Sequence, residues 1–315
     1  MAGQNTLIIA NDYNVIQSKI ALVLGSGSGT KGYGQTIASS QVGTSSLITV
    51  AQWSNLRTDI ARCRQHQTGV ALGTRAPEDS GYVAGSDLPI PTTAKQVRDT
   101  WRAAYLGMAN DADTNFLVSP PPVGQFSVSN LVTPQIRNTA WNGTIQQDVS
   151  ITWTTADEAR YFFNSGGQFQ FTAERSGGSS GLKNSTWTAM LSSMGTISMN
   201  HTQTTCTGTG TTSSLGFYDL TTTNNLIFEK LAPAGAYAPN KYYIYARVNS
   251  TSDRRVLYFE IKFGDDSTAP TSVPDPGFGI DENVDGTLIS TVDVLRASGS
   301  NVSTPAPSAI TSTIS

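Results

Sequence analysis

The sequence predicts an α+β fold: a helical N-terminal module, then a mainly antiparallel β domain with short helices, then an extended C-terminal arm. Three observations lead there. Apolar residues recur at helical spacing in three separate stretches of the first 115 residues. After Pro120-Pro121-Pro122 the period changes to alternation, the signature of half-buried strands. The charged fraction is only 14%, with Ser, Thr, Gly, Asn and Gln in its place, a composition that suits β-rich surfaces and intersubunit faces.

The chain has 315 residues, enough for two ordinary domains or for one with a long extension. The expected boundaries are residues 1–118 for a helical assembly module, 119–269 for a β-rich domain, and 270–315 for a linker, a strand and the arm. No internal repeat is visible at the periods of solenoids or propellers.

Residues 6–10 are a short apolar strand candidate. Asn11 and Asp12 can cap a first helix whose apolar face is Tyr13, Ile16, Ile20, Val23 and Leu24. Gly25 ends it. Residues 25–34 hold five glycines in ten positions and must be a loop. Thr49 and Gln52 have capping-box spacing, followed by Trp53, Leu56, Ile60 and Cys63 on one stripe. Thr93 and Gln96 repeat the box before Val97, Trp101, Ala104 and Met108. Trp53 and Trp101 are expected in one core. Three prolines favour polyproline II and terminate what precedes them, which places the domain boundary there.

Asn142-Gly143 reads as a two-residue hairpin turn. Ile145, Gln147, Val149, Ile151 and Trp153 share one face of the next strand. Residues 152–174 read as strand, short helix, glycine turn and strand. Thr155 and Glu158 make another capping box, and Ala159, Phe162 and Phe163 form a helical face. Gly166 and Gly167 stop the helix, and Phe169, Phe171 and Ala173 alternate after it. This unit is expected to be the central core of the second half.

Residues 182–194 form a second short helix, with Trp187, Met190, Leu191 and Met194 inward. Residues 196–214 are Thr-rich and β-prone. Residues 226–231, 241–248, 254–264 and 287–296 read as strands, the middle two joined by a hairpin loop at 249–253. Pro270, Pro274 and Pro276 mark a linker. Residues 298–315 are poor in core formers and are expected to be disordered alone. Intermolecular contacts are expected to hold them and the glycine-rich loop in place.

Several stretches touch known chemistries. Gly27 to Gly32 match G-x-G-x-x-G, but a helix precedes the match where a dinucleotide site needs a strand. The same residues nearly spell a P-loop, with Gly32 where the magnesium-binding hydroxyl belongs. Gly177-Gly178-Ser179-Ser180-Gly181 matches the nucleophile elbow, but the strand before it alternates instead of being a buried apolar run. Asp265-Asp266 and Asp281-Glu282 with Asp285 read as solvated turn acids that do not fit an EF-hand. Tyr242, Tyr243, Tyr245, Tyr258 and Phe259 form either a two-sided buried hairpin or a surface for sugar stacking or protein contact. Alternation puts Tyr243 and Tyr245 on the face opposite Tyr242.

Two histidines and two cysteines, without a CxxC pair, argue against a histidine-rich or cysteine metal site. Cys63 reads as a buried free thiol. Net charge is −3 with no polybasic patch, so neither nucleic acid nor a membrane is an expected partner. The amino terminus lacks a basic region followed by an apolar one, so cytosolic synthesis and a soluble chain are expected. The five N-x-S/T sequons are then accidents of composition.

Residues 159–171, with Asn164-Ser165-Gly166-Gly167 inside, resemble a segment recurring in virion structural proteins of tailed bacteriophages. Asp12 to Ile16, residues 25–34 ending in Gly32-Tyr33-Gly34 before Gln35, and Trp53 to Ile60 resemble the amino-terminal region of the same proteins. The resemblance implies a structural component of the particle, in the tail, baseplate or fibre. It implies assembly with itself and with other virion proteins, in the host cytoplasm and then in the virion. It implies no catalytic residue, no cofactor-binding residue, no metal ligand and no enzyme. The alternatives are a module binding a receptor or a host surface glycan, a capsid decoration or neck protein, and, through Ser179, a hydrolase.

Overall fold

A computed structural model describes residues 10–44, 46, 48–72, 94–129, 131–233, 235, 237–267 and 283–315. The chain is α+β, with two compact units. The first comprises the described residues through Ser127 together with Arg160–Gly166 and Arg296–Pro305; the second holds the rest.

Three helices build the first unit: α1 (Ala10–Leu24), α2 (Val50–Thr68) and α3 (Ala94–Thr114). Helix α1 buries Tyr13, Ile16, Ile20, Val23 and Leu24, the predicted stripe. Ala10, expected to end a strand, opens this helix instead; residues 6–9 lie outside the described residues. Helix α2 starts on its capping box: the Gln52 N–H donates to Thr49 Oγ1 at 3.2 Å and the Thr49 N–H to Gln52 Oε1 at 2.8 Å. Gly69 closes it in the left-handed conformation, donating to the Gln65 carbonyl. Leu56, Ile60 and Cys63 are buried, and both the apolar surroundings and Asp59 push the free Cys63 thiol upward in pKa. Trp53 meets the Tyr13 ring edge-on at 5.5 Å and the Tyr105 ring at 5.2 Å. Thr93 and the Trp101 side chain, expected to cap α3 and to share a core with Trp53, lie outside the described residues.

Off the apolar stripe, Asp59 is fully buried. Its carboxylate accepts from the Ala38 and Ser39 N–H groups and from Ser39 Oγ at 2.7–3.1 Å, so it fastens an irregular segment to α2. Arg62 donates to the Asn301 and Thr36 carbonyls, and Val302 is buried in this unit's core. His66 lies under Tyr33 and bonds the Ser165 carbonyl at 3.0 Å. A fragment ending at Pro120 would therefore lack residues that close the helical unit.

In chain order the strands and remaining helices are β1 (Phe126–Ser129), β2 (Gln135–Arg137), β3 (Gly143–Thr152), α4 (Ala156–Asn164), β4 (Gln168–Ser176), α5 (Leu182–Met194), β5 (Ile197–Met199), β6 (Thr204–Cys206), β7 (Thr211–Thr212), β8 (Asn225–Leu231), β9 (Lys241–Val248), β10 (Val256–Asp265), β11 (Thr287–Ala297) and β12 (Ala309–Ile314). They form two antiparallel sheets. One runs β1-β11-β4-β5-β6, with β2 also on β11; the other runs β12-β3-β10-β9-β8-β7. Strand β3 buries Ile145, Gln147, Val149 and Ile151, as its alternation predicts. Across the second unit Phe169 packs on Trp153 and Phe259, and Phe171 on Phe259 at 4.8 Å.

Three expectations need correction. Asn142-Gly143 is not a hairpin turn. β2 pairs with β11 while β3 pairs with β10 and β12, so the chain changes sheets there, and Gly143 at φ 85° supplies the bend. The unit at 152–174 is not one core. Its six apolar groups are buried, but Arg160–Gly166 belongs to the first unit and β4 to the second. Finally, residues 298–315 are held by their own chain. β12 pairs with β3 from Ala309 opposite Thr152 to Ile314 opposite Gln147, and Ser312 Oγ accepts from the buried Gln147 amide. Backbone hydrogen bonds to an existing strand supply what the segment's few apolar side chains do not.

Phe171→Ala should cost about 3 to 5 kcal/mol, because a fully buried ring leaves a cavity that rigid neighbours cannot fill. Chemical denaturation would measure it. A second expectation is pH-dependent. Burial lowers the His66 pKa to about 4, against an ordinary 6.5. The unfolded chain takes up this proton as pH falls through 6.5 and the folded chain does not. The contribution is thus complete above pH 6.5 and is lost progressively toward pH 4. Melts of the His66→Gln variant should fall below wild type at pH 7.5 and approach it near pH 4.5.

Candidate functional site

The hairpin of β9 and β10 sorts its aromatics by alternation. Tyr242, Ile244, Ala246 and Val248 face inward with Leu257, Phe259, Ile261 and Phe263, all buried. Tyr243, Tyr245 and Arg247 face outward with Tyr258, Glu260 and Lys262, each half-buried. The hairpin is therefore buried on one face only, and Tyr243, Tyr245 and Tyr258 lie half-buried on the other.

Register arranges the outward groups in rows across four strands. Thr311, Ser150, Tyr258 and Arg247 form one row, and Thr313, Asp148, Glu260 and Tyr245 the next. Gln146, Lys262 and Tyr243 continue it. The Arg247 guanidinium stacks on Tyr258 at 3.9 Å, and Lys262 stands 5.3 Å from the Tyr245 ring centre. Tyr243 and Tyr245 meet at right angles, 5.7 Å apart. Glu260 accepts from Asn224 Nδ2 at 2.6 Å and pairs with Lys262 at 3.0 Å. Burial alone would raise the Glu260 pKa; the bonds from Asn224 and Lys262, with the charges of Lys262 and Arg247, hold it below the usual carboxylate range. An open hollow of about 220 Å³ lies among Asp148, Ser150, Arg247, Tyr258, Glu260 and Thr311.

The glycine-rich loop between α1 and α2 uses its acceptors, whereas a phosphate cradle uses its donors. Arg160 donates to the Gly29 and Ser26 carbonyls at 2.7 and 2.8 Å, Tyr161 to Ser26, and Asn164 to Thr30 and Gly32. Gly34, at φ 70°, lies against the Tyr161 ring, where any Cβ would clash. The next helix begins only at Val50, so the loop does not lead into a helix N-terminus. These bonds hold the loop within its own chain.

Ser179, at the G-x-S-x-G match, sits in an exposed turn between β4 and α5. β4 is antiparallel to both neighbours, unlike the parallel strand of an elbow. The Ser179 N–H donates to Asp285 and its hydroxyl accepts from Asn184. Arg175, buried, bonds the Asp285 carboxylate, its carbonyl and the Gly177 carbonyl. Burial alone would raise the Asp285 pKa, but these donors, Ser179 foremost, keep it below the usual range. Asp265 is no solvated acid either. It forms a buried ion pair with Lys183 at 2.6 Å and accepts from Ser267, two partners that sequence spacing does not reveal. Asp281 and Glu282 lie outside the described residues. Among the described residues no group of three His, Cys, Asp or Glu could hold a metal ion, and no helix is long and apolar enough to cross a membrane.

Comparison with family models, with curated proteins and with solved structures gives no match.

Removing one partner of the Lys183–Asp265 pair leaves an unpaired buried charge. Asp265→Ala should cost about 3 to 5 kcal/mol, and replacing both residues by Met and Leu should restore most of that loss. Urea unfolding of the three chains would measure both effects.

Proposed function

We propose that this protein is a structural, non-enzymatic component of a tailed-phage particle that assembles through subunit interfaces, in the tail, baseplate or fibre. Its resemblance at residues 12–16, 25–34, 53–60 and 159–171 points to that class. The observation that carries the assembly reading is β12. It ends its sheet, so every second residue turns its backbone N–H and C=O groups outward. Natural proteins blunt such edges with charge, proline or bulges. β12 has none of these: Ala309, Ile310, Thr311, Ser312, Thr313 and Ile314 are uncharged, and their pairing with β3 is continuous. Beside it runs an open groove lined by Leu131, Val132, Thr133 and Gln135. A further strand from another subunit fits that arrangement by edge addition.

The test has two arms. Mass spectrometry of purified particles should find the chain at stoichiometric copy number. Light scattering should find the purified chain self-associated, and the double replacement Ile310→Pro, Ile314→Pro should shift it toward monomer with little change in circular dichroism, since proline is tolerated at an edge where the N–H faces outward. A chain that is monomeric at high concentration and missing from particles would sink the proposal.

A further inference from the structure

We infer that the outward face of β12, β3, β10 and β9 is a binding site for a neutral saccharide, centred on Asp148, Tyr245, Arg247, Tyr258 and Glu260. This does not rest on the particle reading; a sugar site is equally compatible with a free protein.

The first support is the mixture of groups. Asp148 and Glu260 are acceptors only, Arg247 and Lys262 donors only, and the hydroxyls of Ser150, Thr311 and Thr313 are both. Vicinal hydroxyls of a sugar donate to carboxylates and accept from a guanidinium, so this set matches a polyol. It suits other ligands poorly. An anionic ligand, nucleic acid included, would meet Asp148 and Glu260, which stand directly opposite each other in register. A metal ion would find only these two carboxylates, and among the described residues no group of three His, Cys, Asp or Glu could hold one.

The second support is the cost of that carboxylate pair. Like charges facing each other across a ladder are unfavourable. Asn224 and Lys262 bond Glu260, and Gln146 donates to Asp148 at 2.6 Å, so both carboxylates are fixed in place and keep lone pairs for further donors.

The third support is shape. The hollow of about 220 Å³ is smaller than the roughly 300–1,000 Å³ that drug-sized ligands occupy. It is on the scale of a single sugar ring. Arg247 covers one face of Tyr258, which makes Tyr258 a wall. The half-buried rings of Tyr245 and Tyr243 continue the surface beyond the hollow, where the apolar face of a second sugar would lie. A chain of at least two residues is therefore the expected ligand.

The experiment is an array of immobilised neutral and acidic oligosaccharides, probed with the full chain and with Glu260→Gln and Tyr245→Ala. Glu260→Gln keeps size and loses charge; Tyr245→Ala removes the platform. Wild type should retain neutral hexose- or N-acetylhexosamine-containing oligosaccharides. Each variant should bind them at least tenfold more weakly, with melting curves confirming that both still fold. If Tyr245→Ala does not fold, Glu260→Gln alone decides. Retention of no neutral saccharide, retention of acidic ones only, or equal binding by wild type and Glu260→Gln would each overturn the inference.

Discussion

The ten-pair register between β3 and β10 is the constraint on which the second unit depends. It sets Ile145, Gln147, Val149 and Ile151 against the same interior as Leu257, Phe259, Ile261 and Phe263. It also sets Ser150 beside Tyr258 and Asp148 beside Glu260 on the other face. A slip of one residue would turn every side chain of the moved strand to the wrong face. Core and surface rows therefore share one cause. β12 inherits the same register through β3, which brings Thr311 and Thr313 into those rows.

The irregular segments follow a different rule. A buried loop must have its polar backbone satisfied, and here single polar side chains do so. Asp59 holds residues 38 and 39, Asn164 and Arg160 hold the glycine-rich loop, and Arg175 with Asp285 holds the turn after β4. Several of these residues fall within or beside stretches that resemble nucleotide-binding or nucleophile motifs. In this chain glycine serves close backbone approach, as at Gly34 against Tyr161, and the acids serve as anchors.

Pairing at the end of the chain changes which strand forms the edge of the sheet. An arm reaching to a neighbour would leave β3 as an edge. With β12 in place, that edge moves out by one strand and presents an uncharged row of Ser, Thr and Ile. The segment is ordered by ladder hydrogen bonds to β3, and its own outer side repeats the same opportunity.

Local pattern alone determined the element types. Apolar spacing located α1, α2 and α5, the Thr49–Gln52 box set the start of α2, and residue pattern gave the strands β3, β9, β10 and β11, with the buried face of β3. It also separated Tyr242 from Tyr243 and Tyr245. These features arise within one turn or one pleat, so neighbouring residues suffice to specify them. Only the tertiary structure decided which strands pair. It sent β2 and β3 to different sheets, divided the 152–174 stretch between two units, and brought the last residues back to β3. It alone revealed Asp59, Arg175, Lys183 and Asp265 as buried and the hollow on the tyrosine face. The reason is physical: a polar side chain is buried where a distant partner completes its hydrogen bonds, and sequence spacing carries no record of that partner.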